Sequence, residues 1–340
     1  MARRLKVDKV LFTTTLLLLC ISVVMVYSAS ALVAFERFDQ ADLFLTKQVL
    51  WAVLGLVGLL LVAVLFSAPV NGTRRWFGIG GLGIQPSELA KIACVLFAAL
   101  ILERRMQRID DVSYSLLPIA IVVGGMVGLI MLQPDFGTAM TLVLIVSAMV
   151  YAAGLHYRYI VGGVLLLVPV FYVLLISAPY RRERLLAFLD PWADPLGSGF
   201  QIIQSLIAVG SGGLAGRGFM EGVQKLFYLP EPHTDFIFAV IGEELGLLGS
   251  TAVLLCFCVI AWRGLRIALR AEDSFGSFVA LGLTTMIGVQ AFVNMSVVLS
   301  LLPTKGIPLP FVSAGGSSLL INLLGMGVLL NISQHESRDV

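Results

Sequence analysis

The chain has few charged residues and few cysteines. Asp, Glu, Lys and Arg together make up 13% of its 340 residues, whereas hydrophobic residues make up 58%. Soluble domains contain about 25% charged residues, so this composition excludes an ordinary soluble protein. The four cysteines, at positions 20, 94, 256 and 258, all lie in apolar segments and predict neither a disulfide framework nor a metal site. The formal net charge of +2 gives no reason to expect a nucleic-acid partner.

Long apolar segments indicate an all-α polytopic membrane protein. A helix needs about 20 apolar residues to cross the hydrocarbon core of a bilayer, and most of these segments approach or exceed that length. The first segment is too long for the core of a signal peptide, so we expect it to be retained. We expect one membrane domain over residues 1–340. The nine candidate spans are residues 11–34, 48–68, 88–102, 116–132, 136–153, 159–178, 236–262, 276–302 and 309–332.

Basic residues set the expected topology, because cytoplasmic loops of membrane proteins are enriched in Lys and Arg. Basic clusters lie at residues 3–9, 104–108 and 263–270, and all three are expected in the cytoplasm. Three apolar segments separate the first two clusters, whereas two clusters on one side require an even number of crossings. Either one crossing is missing or one of these segments does not cross the membrane. The segment 48–68 is the candidate: it is re-entrant, interfacial or the remainder of two helices. The same rule places the loop 179–235 outside the cytoplasm.

The segment 71–91 contains many glycines followed by a helix start. Its G-x-G-x-x-G pattern at 78–83 lacks the preceding strand and the βαβ unit that a dinucleotide site requires. We therefore interpret these glycines as turn formers. Pro86 and Ser87 predict the first residues of a helix.

Charged residues flank that helix start. Glu88 and Lys91 are three residues apart, on one face of the first turn, and are predicted to pair. In one interpretation this ion pair only stabilises the helix end. In the other it forms a charged wall for a polar lipid headgroup, to which Arg74, Arg75 and Trp76 contribute at the membrane interface. The sequence leaves both interpretations open.

Residues 133–138 separate two apolar segments so closely that they predict a helix hairpin. Asp135 is expected to cap the second helix, because Asp is a favoured residue at that position. From the count of crossings we place this hairpin on the cytoplasmic side, away from the large loop.

The loop 179–235 is too long and too structured for a simple connector. Residues 200–209 form an amphipathic segment and could be a helix along the membrane surface. Residues 210–218 contain five glycines, which predict a flexible hinge. We expect this large extracytoplasmic loop to form a lid or a substrate cleft.

Acidic residues surround the point where this loop enters a long apolar helix. Asp235 immediately precedes the helix, where it could be a simple N-cap. Glu243 and Glu244 lie two turns inside the helix, at a depth where membrane proteins keep charge mainly for function. They are about 100° apart, so they cannot share one face, and Glu244 is the better candidate for pairing with a cation in the cavity. His233 is expected to shape the approach to Asp235 through a loop hydrogen bond.

Residues 302–318 interrupt the last two apolar segments with three prolines, three glycines and Lys305. Membranes tolerate irregular backbone only inside protein or against a water-filled cavity. The expected topology places this segment on the same side as Asp235. The sequence therefore predicts a cavity that opens to the outer face and is lined by carboxylates, lysine and loop backbone.

Short polar motifs occur along nearly the whole chain. They are Asn-Gly at 71–72 with Arg-Trp at 75–76, Gln-Pro-Ser-Glu at 85–88, Gln-Pro-Asp at 133–135, Asp-Pro-Trp at 190–192, Pro-Glu-Pro-His-Thr-Asp-Phe at 230–236, Gly-Glu-Glu at 242–244, Pro-Thr-Lys-Gly at 303–306 and Ser-Ala-Gly-Gly-Ser-Ser at 313–318. As a set and in this order, they resemble the SEDS family of bacterial cell-wall polymerases. The motifs at 233–239 and 303–306 look more like the division branch of that family than the elongation branch.

The resemblance implies a glycosyltransferase that polymerises lipid II into peptidoglycan during cell division. It implies a multi-pass protein of the bacterial cytoplasmic (inner) membrane, surrounded by membrane lipid, with its active site on the outer face. Its implied partners are a class B penicillin-binding protein and other division proteins. The family's essential acidic residue falls on Asp235 and its key loop tryptophan on Trp76. The family usually has ten helices, whereas residues 48–70 here are too few for the two helices expected in that interval.

The implied chemistry assigns Asp235 as the general base for the acceptor hydroxyl. Lys305, together with Lys91, Arg74 and Arg75, would hold the pyrophosphate of the donor. No cofactor is required by the sequence, although a divalent cation such as Mg²⁺ or Mn²⁺ could assist. Direct displacement would invert the anomeric configuration. The further candidates for substrate binding are Trp76, Glu88, His233, Glu244 and Ser313.

Two other classes of function remain open from the sequence. A transporter that flips lipid-linked precursors also has broken helices and membrane carboxylates. The polar residues here gather in the loops of one face without a clear inverted repeat, which argues against a transporter. A catalytically silent scaffold of a division complex is the second alternative, and the short interval at residues 48–70 favours it.

Overall fold

The computed structural model describes residues 25, 43–67, 69, 73–79, 82–109, 111–159, 161–163, 165, 169, 179–226 and 228–335. The predicted spans at 11–34 and 159–178 lie almost wholly outside the described residues and stay predictions. The chain divides into two packing units, residues 1–60 and 61–340, and each is described by itself. The expectation of one domain over the whole chain also stays a prediction.

Helices dominate the described residues, as the sequence predicts. The helices are α1 (Leu43–Val64), α2 (Pro86–Arg105), α3 (Val112–Leu132), α4 (Phe136–Ala152), α5 (Pro179–Leu189), α6 (Phe200–Ser211), α7 (Ile237–Arg270), α8 (Ser274–Val298) and α9 (Gly316–Ser333). Short 3-10 helices at Met106–Arg108 and Pro191–Ala193 follow α2 and α5. Strands β1 (Phe77–Ile79) and β2 (Leu82–Ile84) pair antiparallel between α1 and α2.

Five of the described helices are long and apolar enough to cross a membrane. They are Leu45–Val64, Ser113–Leu132, Ile237–Arg270, Ser274–Val298 and Gly316–Ser333. The predicted spans at 88–102 and 136–153 correspond to α2 and to the shorter α4. The all-α polytopic membrane fold is therefore confirmed, whereas the count of nine spans stays a prediction.

Helices α2, α4 and α8 pack together through small residues in the larger unit. A Cβ atom at Gly282 of α8 would lie 2.6 Å from a methyl group of Val95 in α2 and 2.8 Å from the sulfur of Met149 in α4. Only glycine fits here without displacing a neighbour. This close packing positions the beginnings of α2 and α4 beside the end of α8, where the candidate site lies.

Helix α7 is broken at Gly246, whose backbone angles are φ 64° and ψ −160°. The break frees two carbonyls before it and two amides after it, and the backbone of the large loop pairs with all four. The hydrogen bonds run from Arg217 N to Glu243 O (3.0 Å), Gly218 N to Glu244 O (3.1 Å), Leu247 N to Gly213 O (2.9 Å) and Leu248 N to Leu214 O (3.2 Å).

The glycines of residues 210–218 allow this close approach. A Cβ atom at Gly212 would overlap the carbonyl of Gly242, and one at Gly216 would overlap the carbonyl of Glu244. Gly216 also has a φ of +82°, which residues with a side chain rarely adopt. Gly212 and Gly216 therefore serve contact with α7, and the flexible hinge predicted for residues 210–218 stays a prediction.

The loop before α9 is irregular, as predicted, and helix α9 begins only at Gly316. The predicted apolar span 309–332 therefore starts too early, because its first residues belong to this loop. The amphipathic prediction for residues 200–209 is confirmed as α6, which packs against α7 and buries Ile202, Ile203, Ser205 and Ala208.

Candidate functional site

Asp235 lies in the turn directly before α7, but it does not cap that helix. The N-cap residue is Phe236, and no side chain makes a cap hydrogen bond there. The carboxylate of Asp235 accepts no hydrogen bond from the residues that the structure describes. The N-cap interpretation of Asp235 is therefore wrong, and its carboxylate is available to a ligand.

The loop before α9 holds the backbone around Asp235 in place. The side-chain amide of Asn294 in α8 donates to the carbonyls of Asp235 (2.8 Å) and Ile307 (2.7 Å). Ser313 Oγ donates to the carbonyl of Thr234 at 2.5 Å, and it accepts from the amide of Leu309 at 2.7 Å. The hydroxyl of Ser313 is thus bonded within the protein, and its contact with substrate stays a prediction.

A glycine allows the same loop to touch the candidate base. A Cβ atom at Gly306 would lie 2.7 Å from Asp235 Oδ2, so a side chain there would press on the carboxylate. The neighbouring residue, Lys305, turns toward α4 instead. The tripeptide 304–306 therefore runs directly beside Asp235.

Burial, and to a smaller extent the negative charge of Glu231, raises the pKa of Asp235 to about 6. The charges of Arg75 and Arg184 oppose this rise, whereas the charge of Asp135 adds to it. A carboxyl group with a pKa near 6 can act as a general base near neutral pH. These five charged residues form the Asp235 cluster.

Lys305 lies on the side of this cluster formed by α4. Its ammonium donates to the carbonyl of Phe136 at 3.3 Å and lies 4.1 Å from the centre of that residue's ring. Burial lowers the pKa of Lys305 to about 8, and the charge of Asp135 partly opposes this. Lys305 is therefore a cation that stays charged at neutral pH.

Asp135 is buried and caps α4, as predicted. Its carboxylate accepts from the amide of Thr138 (3.1 Å), the hydroxyl of Thr138 (2.8 Å) and the side-chain amide of Gln85 (2.9 Å). The predicted position of Asp135, on the side away from Asp235, is wrong, because the next residue, Phe136, accepts a hydrogen bond from Lys305 in the loop beside Asp235. The reason is that α3 separates Asp135 from the basic cluster at 104–108, so one crossing brings it to the opposite side.

Glu88 and Lys91 form the predicted ion pair, with Lys91 Nζ 2.8 Å from Glu88 Oε1. Both residues are buried, with exposed fractions of 3% and 1%. The pair lies one turn beyond Gln85, whose side-chain amide donates to the carboxylate of Asp135. A role for either residue in substrate binding stays a prediction and would require the pair to open.

The three interfacial residues before α2 lie in different surroundings. Arg75 is close enough to Asp235 to lower its pKa, and it donates to Thr73 Oγ1 at 3.0 Å. Arg74 is exposed and donates to the carbonyl of Leu65 at 3.3 Å. Trp76 packs its ring over Gly83 in the hairpin of β1 and β2, which the sequence analysis did not predict.

Glu243 and Glu244 both bind the large loop across the break in α7. Glu244 pairs with Lys225 at 2.6 Å and accepts from the amide of Met220 at 3.0 Å. Glu243 accepts from the amides of Val223 and Gln224. A Cβ atom at Gly222 would lie 3.0 Å from Glu244 Oε1 and 3.1 Å from Glu243 Oε2, so both carboxylates meet the same part of the loop. The prediction that the two residues cannot share one face is therefore wrong. The cation that pairs with Glu244 is thus Lys225, while contact of Glu244 with substrate stays a prediction.

His233 is exposed, and its ring nitrogen Nε2 lies 4.0 Å from Glu231 Oε2. Its backbone carbonyl accepts from the amide of Ala314 at 2.9 Å, so the residue helps to join the two loops at the site. Among the described residues, no three His, Cys, Asp or Glu side chains are grouped closely enough to hold a metal ion.

Comparison with known proteins decides the family. The family model for FtsW, RodA and SpoVE, described as cell cycle protein, matches residues 55–338. The chain belongs to this family. The resemblance to SEDS proteins is thereby confirmed, and the chain is a bacterial membrane protein of the FtsW/RodA/SpoVE type.

Relatives and solved structures agree with this assignment. The chain is 42% identical to the probable peptidoglycan glycosyltransferase FtsW of Geobacter metallireducens, covering 96% of this chain and 94% of that one. It is 44% identical to the stage V sporulation protein E of Bacillus subtilis, covering 96% and 97%.

Among solved structures, a chain of a peptidoglycan synthase complex has a TM-score of 0.70 at 34% identity, covering 98% of this chain and 92% of that one. The rod shape determining protein RodA of Thermus thermophilus has a TM-score of 0.63 at 29% identity, covering 95% and 89%.

This member of the FtsW/RodA/SpoVE family is shorter than its relatives in the aligned region. The alignment with the Geobacter metallireducens protein spans 353 positions, more than the 340 residues of this chain. That relative therefore has residues without a counterpart here. In the short interval at 48–70 the structure describes one helix, α1.

Two residues of the site were missed by the sequence analysis. Arg184 lies in the loop 179–235 and was assigned no role from the sequence, yet it donates to the carbonyl of Thr304 at 3.3 Å and acts on Asp235. Asn294 was not considered at all. A polar amide inside an apolar span is itself a sign of function in a membrane protein, so Asn294 could have been found.

Proposed function

We propose that this chain is a peptidoglycan glycosyltransferase that polymerises lipid II into glycan strands during cell division. The observation that supports this most directly is the carboxylate of Asp235, which has a raised pKa, accepts no hydrogen bond within the described residues and lies beside a loop that contains the half-buried Lys305. Such a pair offers a base and a cation at one place. The names of its relatives, which include probable peptidoglycan glycosyltransferases, point to the same reaction.

Asp235 acts as the general base. The 4-hydroxyl oxygen of the acceptor sugar attacks the anomeric carbon of the donor, and its proton passes to the carboxylate of Asp235. The bond between the anomeric carbon and the pyrophosphate oxygen breaks, and polyprenyl pyrophosphate leaves. A single displacement of this kind inverts the donor's configuration. Because pyrophosphate is a good leaving group, a second carboxylic acid is not needed, in contrast to glycoside hydrolysis.

Cations around Asp235 hold the donor's pyrophosphate. Lys305 and Arg75 are the first candidates, because both lie within electrostatic reach of the Asp235 cluster. Arg74 is exposed at the same interface and can contact a headgroup. Lys91 is the weakest candidate of the set, since its ammonium is already paired with Glu88.

The reaction takes place on the outer face of the cytoplasmic membrane, beside a class B penicillin-binding protein that cross-links the strands. A structural relative comes from a peptidoglycan synthase complex that coordinates polymerization and crosslinking, which supports a partner of this kind. The basic residues at 263–270 end α7 and favour a cytoplasmic position for that end, with Asp235 at the opposite end.

The test is polymer formation from labelled lipid II by purified protein with its class B partner, analysed on a gel. We expect polymer from the native chain and none from Asp235→Asn. Glu221→Gln serves as the control, because it removes an exposed carboxylate of the same loop outside the Asp235 cluster. Polymer from both the native chain and Asp235→Asn would exclude Asp235 as the base.

A catalytically silent scaffold is the second candidate, favoured by the single helix α1 in the interval where the family usually has two. A scaffold, like a lipid flippase, would form no polymer in detergent. If the native chain forms none, lengthening the interval at 48–70 should restore activity under the enzyme hypothesis. It should have no effect under the scaffold hypothesis.

A further inference from the structure

A polar cavity of about 340 Å³ lies between α5, the start of α6 and the loop before α9. Its volume falls within the range of small-ligand sites, roughly 300–1,000 Å³. Neither the proposed general base nor the proposed pyrophosphate cations fill it. The residues on which the inference depends are Glu183, Arg184, Ser198, Phe200, Gln201 and Thr304.

The walls of this cavity are fixed by hydrogen bonds. The carboxylate of Asp194 accepts from the backbone amides of Gly197 (3.1 Å) and Ser198 (2.9 Å). Across the cavity, the guanidinium of Arg184 donates to the carbonyl of Thr304 at 3.3 Å. A Cβ atom at Gly199 would overlap the carbonyl of Pro191, so the turn between them is closely packed. A preformed site of this kind loses little entropy when a ligand binds.

Several polar groups of the cavity have no partner within the described part of the chain. These are the carboxylate of Glu183, the side-chain amide of Gln201 and the hydroxyl of Thr304, whose residue is only 5% exposed. Together they offer both donors and acceptors. A ligand that supplies matching hydroxyl and amide groups would satisfy them.

The charges of the lining favour a neutral ligand. Glu183 and Arg184 contribute one charge of each sign, so an anion gains no net attraction. The nearby carboxylates of Asp235 and Glu231 add repulsion against an anion. Phe200 provides an apolar surface against which the face of a sugar ring can pack. An N-acetylated sugar combines these features: a neutral ring, several hydroxyls and an amide.

The cavity lies beside the candidate base. Thr304 lines the cavity, Lys305 extends to Phe136, and Gly306 touches the carboxylate of Asp235. Three consecutive residues thus contact the cavity, the proposed pyrophosphate site and the base. A sugar in the cavity would lie on the side of Asp235 that belongs to Arg184, apart from the cation that faces α4.

Resting on the function proposed above, we propose that this cavity binds an N-acetylated sugar of the acceptor, lipid II, and directs its 4-hydroxyl toward Asp235. Gln201 and Thr304 are then specificity residues for the acceptor, with no part in proton transfer. The donor's pyrophosphate occupies the Lys305 side at the same time.

The first test is elongation of a labelled lipid-linked tetrasaccharide, as the donor, by unlabelled lipid II, as the acceptor. Gln201→Ala and Thr304→Val should each raise the KM for the acceptor about tenfold, the effect of losing one good hydrogen bond, with kcat at saturating acceptor unchanged. Gln204→Ala is the matched control, because Gln204 lies one turn later on α6 and does not line the cavity. If the KM for the acceptor is the same in Gln201→Ala and Thr304→Val as in Gln204→Ala, the proposal is overturned.

A binding measurement separates this proposal from the proposed function. A peptide-free N-acetylated tetrasaccharide should bind the Asp235→Asn protein, as measured by saturation-transfer NMR, and adding Gln201→Ala should weaken this binding about tenfold. If Asp235→Asn forms as much polymer as the native chain but this dependence on Gln201 holds, the sugar site stands and the catalytic role of Asp235 fails. Equal binding with and without Gln201, or displacement of the sugar by inorganic pyrophosphate, would overturn the sugar site.

Discussion

Removal of the Asp235 charge should make the protein more stable as well as inactive. The pKa of Asp235 rises from 3.8 to about 6 on folding, mainly through burial. Above that pH the folded protein contains a buried carboxylate that would be better solvated in the unfolded chain. One unit of pKa corresponds to about 1.4 kcal/mol, so the cost is roughly 3 kcal/mol. Asp235→Asn removes this cost, since the carboxylate accepts no hydrogen bond within the described residues.

The sign of the pH dependence follows from linkage. Because the folded state keeps its proton to higher pH than the unfolded state, Asp235 lowers the stability progressively as pH rises from 3.8 to about 6. Below this window the native chain and Asp235→Asn should be equally stable. Above about pH 7 the variant should unfold at a temperature several degrees higher, by the usual relation between free energy and melting temperature.

Thermal unfolding of detergent-solubilised protein measures this difference, at about pH 4 and about pH 7.5. Glu221→Gln is the control, because it removes an exposed carboxylate with no such cost. Two results would refute a buried Asp235 carboxylate. In the first, the melting temperatures of Asp235→Asn and the native chain do not differ at the higher pH. In the second, they differ by the same amount at both pH values.

Three further predictions concern the pH profile of the reaction, the charge of Glu231 beside Asp235 and the glycines of residues 210–218. The initial rate of polymerisation should rise with pH as Asp235 loses its proton near pH 6 and fall as Lys305 loses its proton near pH 8. Glu231→Gln should move the acidic limb to lower pH, because the Glu231 charge raises the pKa of Asp235. Gly216→Ala should destabilise the fold by at least about 2 kcal/mol through strain at positive φ, whereas Gly210→Ala, which meets open space, should not.

Each of these predictions has an opposing result. A rate that does not change with pH would exclude a titrating base, and an unshifted acidic limb in Glu231→Gln would place that residue outside the Asp235 cluster. Equal melting temperatures for Gly216→Ala and Gly210→Ala would show that the loop does not need to enter the break in α7.

Local features of the fold could be predicted from the sequence. The five long apolar helices follow the apolar segments, Asp135 caps α4, and Glu88 pairs with Lys91 three residues later. The irregular loop around Lys305 was predicted from its prolines and glycines. These features depend on neighbouring residues, so the sequence contains the information directly.

Contacts between distant segments could not be predicted in the same way. Glycine-rich sequence at residues 210–218 is typical both of flexible linkers and of backbone packed closely against a partner, and the contacts of Gly212 and Gly216 with α7 could be found only in the structure. The contact of Arg184 with Thr304 joins residues 120 positions apart. The predicted membrane side of Asp135 was based on a count of crossings, and an error of one crossing in that count reverses the predicted side.

The break at Gly246 has a mechanical consequence for the protein. In an unbroken helix, the amides of Leu247 and Leu248 would donate to the carbonyls of Glu243 and Glu244, four residues earlier. The large loop takes the place of both partners, so α7 can straighten only by expelling residues 213–218. Loop insertion and helix straightening therefore exclude each other, and the position of the loop reports directly whether α7 is bent.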